Sequence, residues 1–227
     1  MSDPISNTNS IYIQWNPSKF VPNQGDSYSF TGFTIGYSYG LNIVPTIPLF
    51  LELGAALQYS FYYEETEIGE NLANTLEVTD GDKVMYTEKV NMLSLKIPIN
   101  ITYKLKIPNS SVAIAPYAGF TFRGNLYGKY NYDRNEELNS QIDRLIRSVT
   151  YHIDWTPLRN DHDLNLFSED DMGNDSVWNR FQVGWQIGAN ISFMDRFYVG
   201  ASYGTDMSQI AKSCEIHTTS VTLGLIF

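Results

Sequence analysis

The side chains able to do chemistry are few and scattered. The chain of 227 residues carries three histidines, His152, His162 and His217, and one cysteine, Cys214. His217 stands three positions before Ser220. On a strand, side chains alternate between faces, so an odd separation keeps a general base away from its nucleophile. His152 has no carboxylate or nucleophile at a useful spacing, and Asp206 is isolated. Asp161-His162-Asp163 and Glu169-Asp170-Asp171 with Asp175 are the densest groups of potential cation ligands. Neither has the ligand spacing of a calcium loop or a zinc site. A glycine-rich phosphate loop opening a helix and a strand-turn-helix nucleophile elbow are both missing. The sequence therefore predicts no catalytic set, no cofactor and no metal. A rim enzyme would have to rest on His217 or Asp206, brought to partners by the fold.

The elements that must position these residues are strands. From Phe181 the odd positions read Phe181, Val183, Trp185, Ile187, Ala189, Ile191 and Phe193, against Gln182, Gly184, Gln186, Gly188, Asn190 and Ser192. After a tight Met194-Asp195-Arg196 turn the pattern resumes at Phe197, Val199, Ala201 and Tyr203, and the chain ends on Thr219, Val221, Leu223, Leu225 and Phe227. Earlier segments repeat it: Ile11–Trp15, Phe33–Ile43, Leu49–Phe61, Leu93–Leu105 and, on even numbers, Val112–Phe122. Period-two alternation marks strands with one apolar face, and the count predicted is eight.

Composition decides which way that face points. The apolar faces carry no Asp, Glu, Lys or Arg, while the polar faces hold Gly36, Gly40, Gly54, Gly119, Gly184, Gly188, Gly200, Gly204 and Gly224. A solvated outer face would be rich in charge and poor in glycine, whereas a narrow barrel interior accepts small residues and a few paired charges. Lipid forbids open sheet edges, so an outward apolar face requires closure. The expectation is an all-β, eight-stranded antiparallel up-and-down transmembrane barrel, residues 1–227 forming one domain. The rival is a soluble, lipocalin-like barrel with its apolar face inward, holding a hydrophobic ligand between Phe33, Leu53, Ile97 and Trp185. Mean hydropathy is only −0.24, and no apolar run reaches the roughly 20 residues of a membrane helix.

Connections alternate long and short, which places the long loops, about 64–88 and 129–177, at one end as in outer-membrane barrels. Net charge is −10. Glu64–Val84 holds seven acids and one base, and Lys129–Val177 eleven acids and five bases, so each segment is −6 and the remainder is +2. A chain this acidic without a basic stripe is no nucleic-acid binder. The acidic end offers a surface to divalent cations or to a basic partner. Within the longer loop, Asn135 can cap a short helix over 136–149 with Leu138, Ile142, Leu145, Ile146 and Val149 on one face.

Four charges fall on the polar faces of the strands: Glu52, Lys96, Lys104 and Arg123. Inside a barrel these should pair, and Glu52, the one acid, is expected to bond Lys104 or Lys96. Sixteen tyrosines cluster near strand ends. Tyr59, Phe61, Tyr103, Trp178, Phe193 and Phe227 are expected at the two membrane interfaces.

The stretch Leu93-Ser94-Leu95-Lys96-Ile97-Pro98-Ile99-Asn100-Ile101-Thr102-Tyr103-Lys104 resembles the "LxIPxxxxYK" strand of outer-membrane barrels common in Bacteroidetes, the porin-like or PorT-like families. As in those, a short turn and a "PYxGxxF" strand follow, Pro116-Tyr117-Ala118-Gly119-Phe120-Thr121-Phe122. The closing strand, with Val221, Leu223, Leu225 and Phe227, resembles the signal read by barrel-assembly machinery. The resemblance spans roughly residues 10 to 227 and implies a Gram-negative outer-membrane barrel, with no catalytic residue to carry over. Expected partners are the outer-membrane bilayer, the assembly machinery during biogenesis and an envelope protein at the external loops, with the barrel a monomer. The chain opens Met1-Ser2-Asp3-Pro4, so an export leader is expected to have been removed. Two roles follow as expectations: a structural or surface-interaction barrel, or an accessory subunit of a secretion or transport complex.

Overall fold

The period-two segments form one antiparallel sheet whose last strand returns to pair with its first. The computed structural model describes residues 6–22, 27–67, 85–134, 163–172, 177–211 and 214–227. In chain order the elements are β1 (Thr8–Trp15), β2 (Ser18–Pro22), β3 (Tyr28–Val44), β4 (Ile47–Glu67), β5 (Met85–Tyr103), β6 (Leu105–Lys106), β7 (Val112–Arg134), β8 (Leu164–Asn165), α1 (Glu169–Met172), β9 (Phe181–Phe193), β10 (Phe197–Asp206) and β11 (Cys214–Ile226). The strand order is β1-β11-β10-β9-β7-β5-β4-β3-β2, with β1 also pairing β3 and β11 also pairing β2. β1 and β2 are thus one barrel strand broken at Asn16-Pro17, where proline removes a ladder donor. Eight long strands in a closed antiparallel up-and-down ring result.

The apolar face points outward. Phe33, Ile35, Leu53, Ile97, Trp185, Ile187 and Leu223 are all exposed, while Thr34, Gln58, Lys96, Asn100, Gln182 and Thr222 face inward and are buried. This overturns the inward-facing, soluble alternative: the four residues named for a hydrophobic ligand stand on the outside. Close approach inside requires glycine at two positions. Tyr12 lies in register between Gly36 and Gly224, and a methyl group at Gly36 would overlap the Tyr12 ring, one at Gly224 the Tyr198 ring.

Strands also run past the expected boundaries. β4, β5 and β7 have 21, 19 and 23 residues, against the roughly 10 that cross a bilayer. Glu64–Glu67 pair with Met85–Glu88, and Lys129–Arg134 with Tyr86–Asn91, so the ends of the expected loops are sheet standing above the membrane. A bulge opposite Leu93/Ser94 sets Leu126 and Tyr127 both outward and switches the inward parity of β7 from odd to even. At the other end, Met194 and Asp195 take φ of 54° and 51°, and Arg196 N–H donates to the Phe193 carbonyl at 3.1 Å. This is the left-handed pair of a tight hairpin turn.

Candidate functional site in the barrel interior

The middle of the lumen is a cross-linked polar layer. Thr34 Oγ1 donates to Asn16 Oδ1 at 2.6 Å, and Asn16 Nδ2 donates to Ser220 Oγ at 2.6 Å. Opposite, Ser94 Oγ donates to Asn125 Oδ1 at 2.8 Å, and Gln186 Nε2 to Asn100 Oδ1 at 2.8 Å. These bonds add side-chain cross-links to the backbone ladders, the Gln186–Asn100 bond reaching past β7 from β9 to β5.

The charges pair differently from the sequence expectation. Arg123 Nη1 meets Asp206 Oδ2 at 3.0 Å, with side chains only 5% and 9% exposed. Lys104 Nζ and Lys106 Nζ each lie 3.3 Å from a different oxygen of Asp195. Glu52 makes no ion pair within 4.0 Å among the described residues. The reason is geometric: Lys104 lies beyond the last residue of β5 and reaches the hairpin turn, while Lys96 lies in register with Ala56, four residues from Glu52. Asp206, which looked isolated, faces Arg123 because β9 alone separates their strands. Burial works against the Asp195 carboxylate, but Lys104 and Lys106 outweigh it and hold its pKa below the usual range.

Above the polar layer the inward face turns apolar. Phe20, Phe30, Tyr62, Val90, Met92, Leu166, Ile210 and Ile216 form one buried cluster. Trp178 packs against it, stacked on Phe20 with ring centroids 5.4 Å apart. The segment carrying β8 and α1 lies over this mouth, with Leu166 1% exposed. Trp178 N–H donates to the Leu166 carbonyl at 2.8 Å. Trp178 is therefore a mouth residue facing inward and not an interface anchor. Tyr59, Phe61, Tyr103, Phe193 and Phe227 stand on the outer surface, Tyr59 and Phe61 toward the mouth and the other three at the short-turn end. Sequence reading missed this cluster. Its signal was an inversion: Lys19, Ser29 and Glu215 take outward positions where the strands leave lipid, and the intervening Phe20, Phe30 and Ile216 turn inward.

Below the polar layer a cavity of about 100 Å³ opens toward the short-turn end, lined by Glu52, Lys96, Asn100, Tyr12, Tyr117 and Tyr198 among others. Among the described residues no three His, Cys, Asp or Glu gather to hold a metal. His217 faces outward; its Nδ1 is 2.7 Å from Tyr203 Oη and its Nε2 3.8 Å from Glu215. Ser220 faces inward on Asn16, so the two do not meet. Asp171 accepts from the Asn165 N–H at 2.9 Å. The helix expected at 136–149, the acidic run 68–84, His152, Asp161, His162 and Asp175 lie outside the described residues.

A family model described as "Outer membrane protein beta-barrel domain" matches residues 8–210. The chain belongs to this family. It is a bacterial outer-membrane protein, and the outward apolar belt is its lipid contact. Val221, Leu223 and Leu225 lie on that belt along β11, which closes the ring against β1. Among solved structures the chain is similar to Ail, the attachment invasion locus protein of Yersinia pestis, crystallised with the heparin analogue sucrose octasulfate. Identity there is 13% and the TM-score 0.41, over 98% of this chain and 100% of that one. Neisserial surface protein A is similar at 12% identity and a TM-score of 0.44, covering 97% and 99%. The outer-membrane enzyme PagL is similar at 12% and 0.40, covering 93% and 97%. No curated protein sequence matches the chain.

Proposed function

We propose that this barrel is a monomeric, non-enzymatic anchor that presents an acidic external end to a basic partner in the envelope or on an apposed surface. The observation that carries the reading is the charge asymmetry: two external segments hold −12 and the rest of the chain +2. The apolar cluster filling the mouth supports an anchor over a wide conduit. An acidic end facing outward steers cationic partners and is screened by salt. The test replaces Glu64, Glu65, Glu67, Glu70, Glu77, Asp80 and Asp82 with the corresponding amides and compares binding of a polylysine-coated surface and of native envelope proteins cross-linked in place. Loss of a salt-sensitive contact in the variant supports the reading; unchanged contacts overturn it.

The resemblance of Leu93–Lys104 and Pro116–Phe122 to the strands of Bacteroidetes PorT-like barrels favours one second reading, an accessory subunit of a secretion or transport complex. A stoichiometric assembly retained through detergent purification distinguishes this from a stand-alone anchor.

A further inference from the structure

One row of the lumen wall carries more donors than acceptors. In register across β5, β7 and β9 lie Lys96, Arg123 and Gln182. Like charges directly opposite on neighbouring strands, with Cα atoms about 5 Å apart, repel, so Lys96 and Arg123 side by side need negative charge nearby. Asp206 answers Arg123. Arg123 Nε and Gln182 Nε2 nevertheless remain buried without a partner. Lys96 is 7% exposed and has no ion pair within 4.0 Å among the described residues. It lines both the cavity that opens to the short-turn end and the smaller one beside Arg123, Asp206 and Ser202. Glu52, the remaining lumen acid, is set four residues along the strand, about 13 Å away at 3.3 Å per residue.

A buried ammonium with three donors and no acceptor is costly unless a counter-charge reaches it. The one acid beside it, Asp206, is in contact with Arg123 instead, but the fold supplies access: the cavity of about 100 Å³ runs from the short-turn opening to Lys96. Near the path, Gln186 donates to Asn100 Oδ1, which leaves the Asn100 side-chain N–H₂ to donate to a ligand. We propose that the inner end of this cavity binds one small oxyanion, a free carboxylate or phosphate of a few heavy atoms, with Lys96 as its principal ligand and Arg123 contributing field. Entry is from the short-turn side, because the mouth above is filled by the apolar cluster.

The test uses the full chain refolded in detergent micelles and follows the Lys96 side-chain nitrogen by NMR. Sodium acetate and sodium phosphate are titrated separately against sodium chloride at constant sodium. A saturable shift with acetate, phosphate or both, flat in the chloride control, is the expected result, and the two arms say which oxyanion the cavity takes. In Lys96→Met, checked for folding by its gel mobility before boiling, the response of the Asn100 side-chain amide should weaken by about tenfold or more, as expected for a lost charge-assisted bond. No saturable shift of the Lys96 nitrogen with either anion overturns the proposal. So does an Asn100 response that is the same in Lys96→Met and in the wild type.

Discussion

Removing the acid of the buried ion pair is the sharpest perturbation the interior offers. In Asp206→Asn the side chain keeps its shape and loses its charge, while Arg123 stays buried beside Lys96. Breaking a buried pair by deleting one partner costs about 3–5 kcal/mol, because an uncompensated charge is left behind. With Lys96 beside it and no acid in contact, Arg123 puts this case near the middle of that range. Each 1.36 kcal/mol is tenfold, so a loss of about 4 kcal/mol lowers the folding constant by about a thousandfold. With a urea dependence of about 2 kcal/mol per molar, the unfolding midpoint falls by about 2 M. The assay is urea unfolding of protein refolded into thin bilayers, read by tryptophan fluorescence and by mobility of unboiled samples. A second variant separates charge from packing. Asp206→Leu combined with Arg123→Met removes both charges, and replacing a buried pair by apolar groups is close to neutral, so most of the loss should return. A single variant within about 1 kcal/mol of wild type, or a double variant no better than the single, refutes the reasoning.

Other predictions concern the two ends. Leu166→Ala removes a fully buried side chain of the mouth cluster and should release the β8–α1 segment at a local cost of about 2–5 kcal/mol. The expected readout is a red shift of Trp178 emission in a chain retaining that tryptophan alone and faster proteolysis near Asn165, with the barrel's gel mobility unchanged. At the short-turn end, Asp195→Asn keeps a residue that tolerates the left-handed turn and removes the anchor for Lys104 and Lys106. Because the folded pKa of Asp195 lies below its ordinary value, its contribution is complete above that ordinary value and is lost as pH falls through the lowered one. Asp195 is largely exposed, so the loss at neutral pH should stay below about 1 kcal/mol. It should vanish in acid strong enough to protonate Asp195, as a comparison of unfolding midpoints across that range would show.

Much of the fold was legible because lipid imposes a simple rule on strands. Where the barrel crosses the membrane, one face must be apolar and the other has room only for small or polar groups, and Phe181–Phe193 writes that rule in thirteen residues. Legibility ended where lipid ended. Phe20, Phe30, Tyr62 and Ile216 obey the same parity as the strands below them, but there the apolar side faces inward, so the strand ends read as loops. The charge partners were hidden for a different reason. Arg123 and Asp206 are 83 positions apart, and only the register of β7, β9 and β10 brings them to 3.0 Å. Glu52 and Lys104, close in the unrolled pattern, are separated because Lys104 leaves the strand for the Asp195 turn.

Orientation of the apolar face is the central claim, and tryptophan quenching by lipids brominated along their acyl chains tests it directly. Trp15 and Trp185 are 49% and 38% exposed on the outer belt, whereas Trp178 lies inside the mouth against Phe20. In chains retaining one tryptophan each, refolded into such bilayers, Trp15 and Trp185 should be strongly quenched and Trp178 should keep its fluorescence. Strong quenching of Trp178 with Trp15 and Trp185 unaffected would contradict the account and turn the barrel inside out.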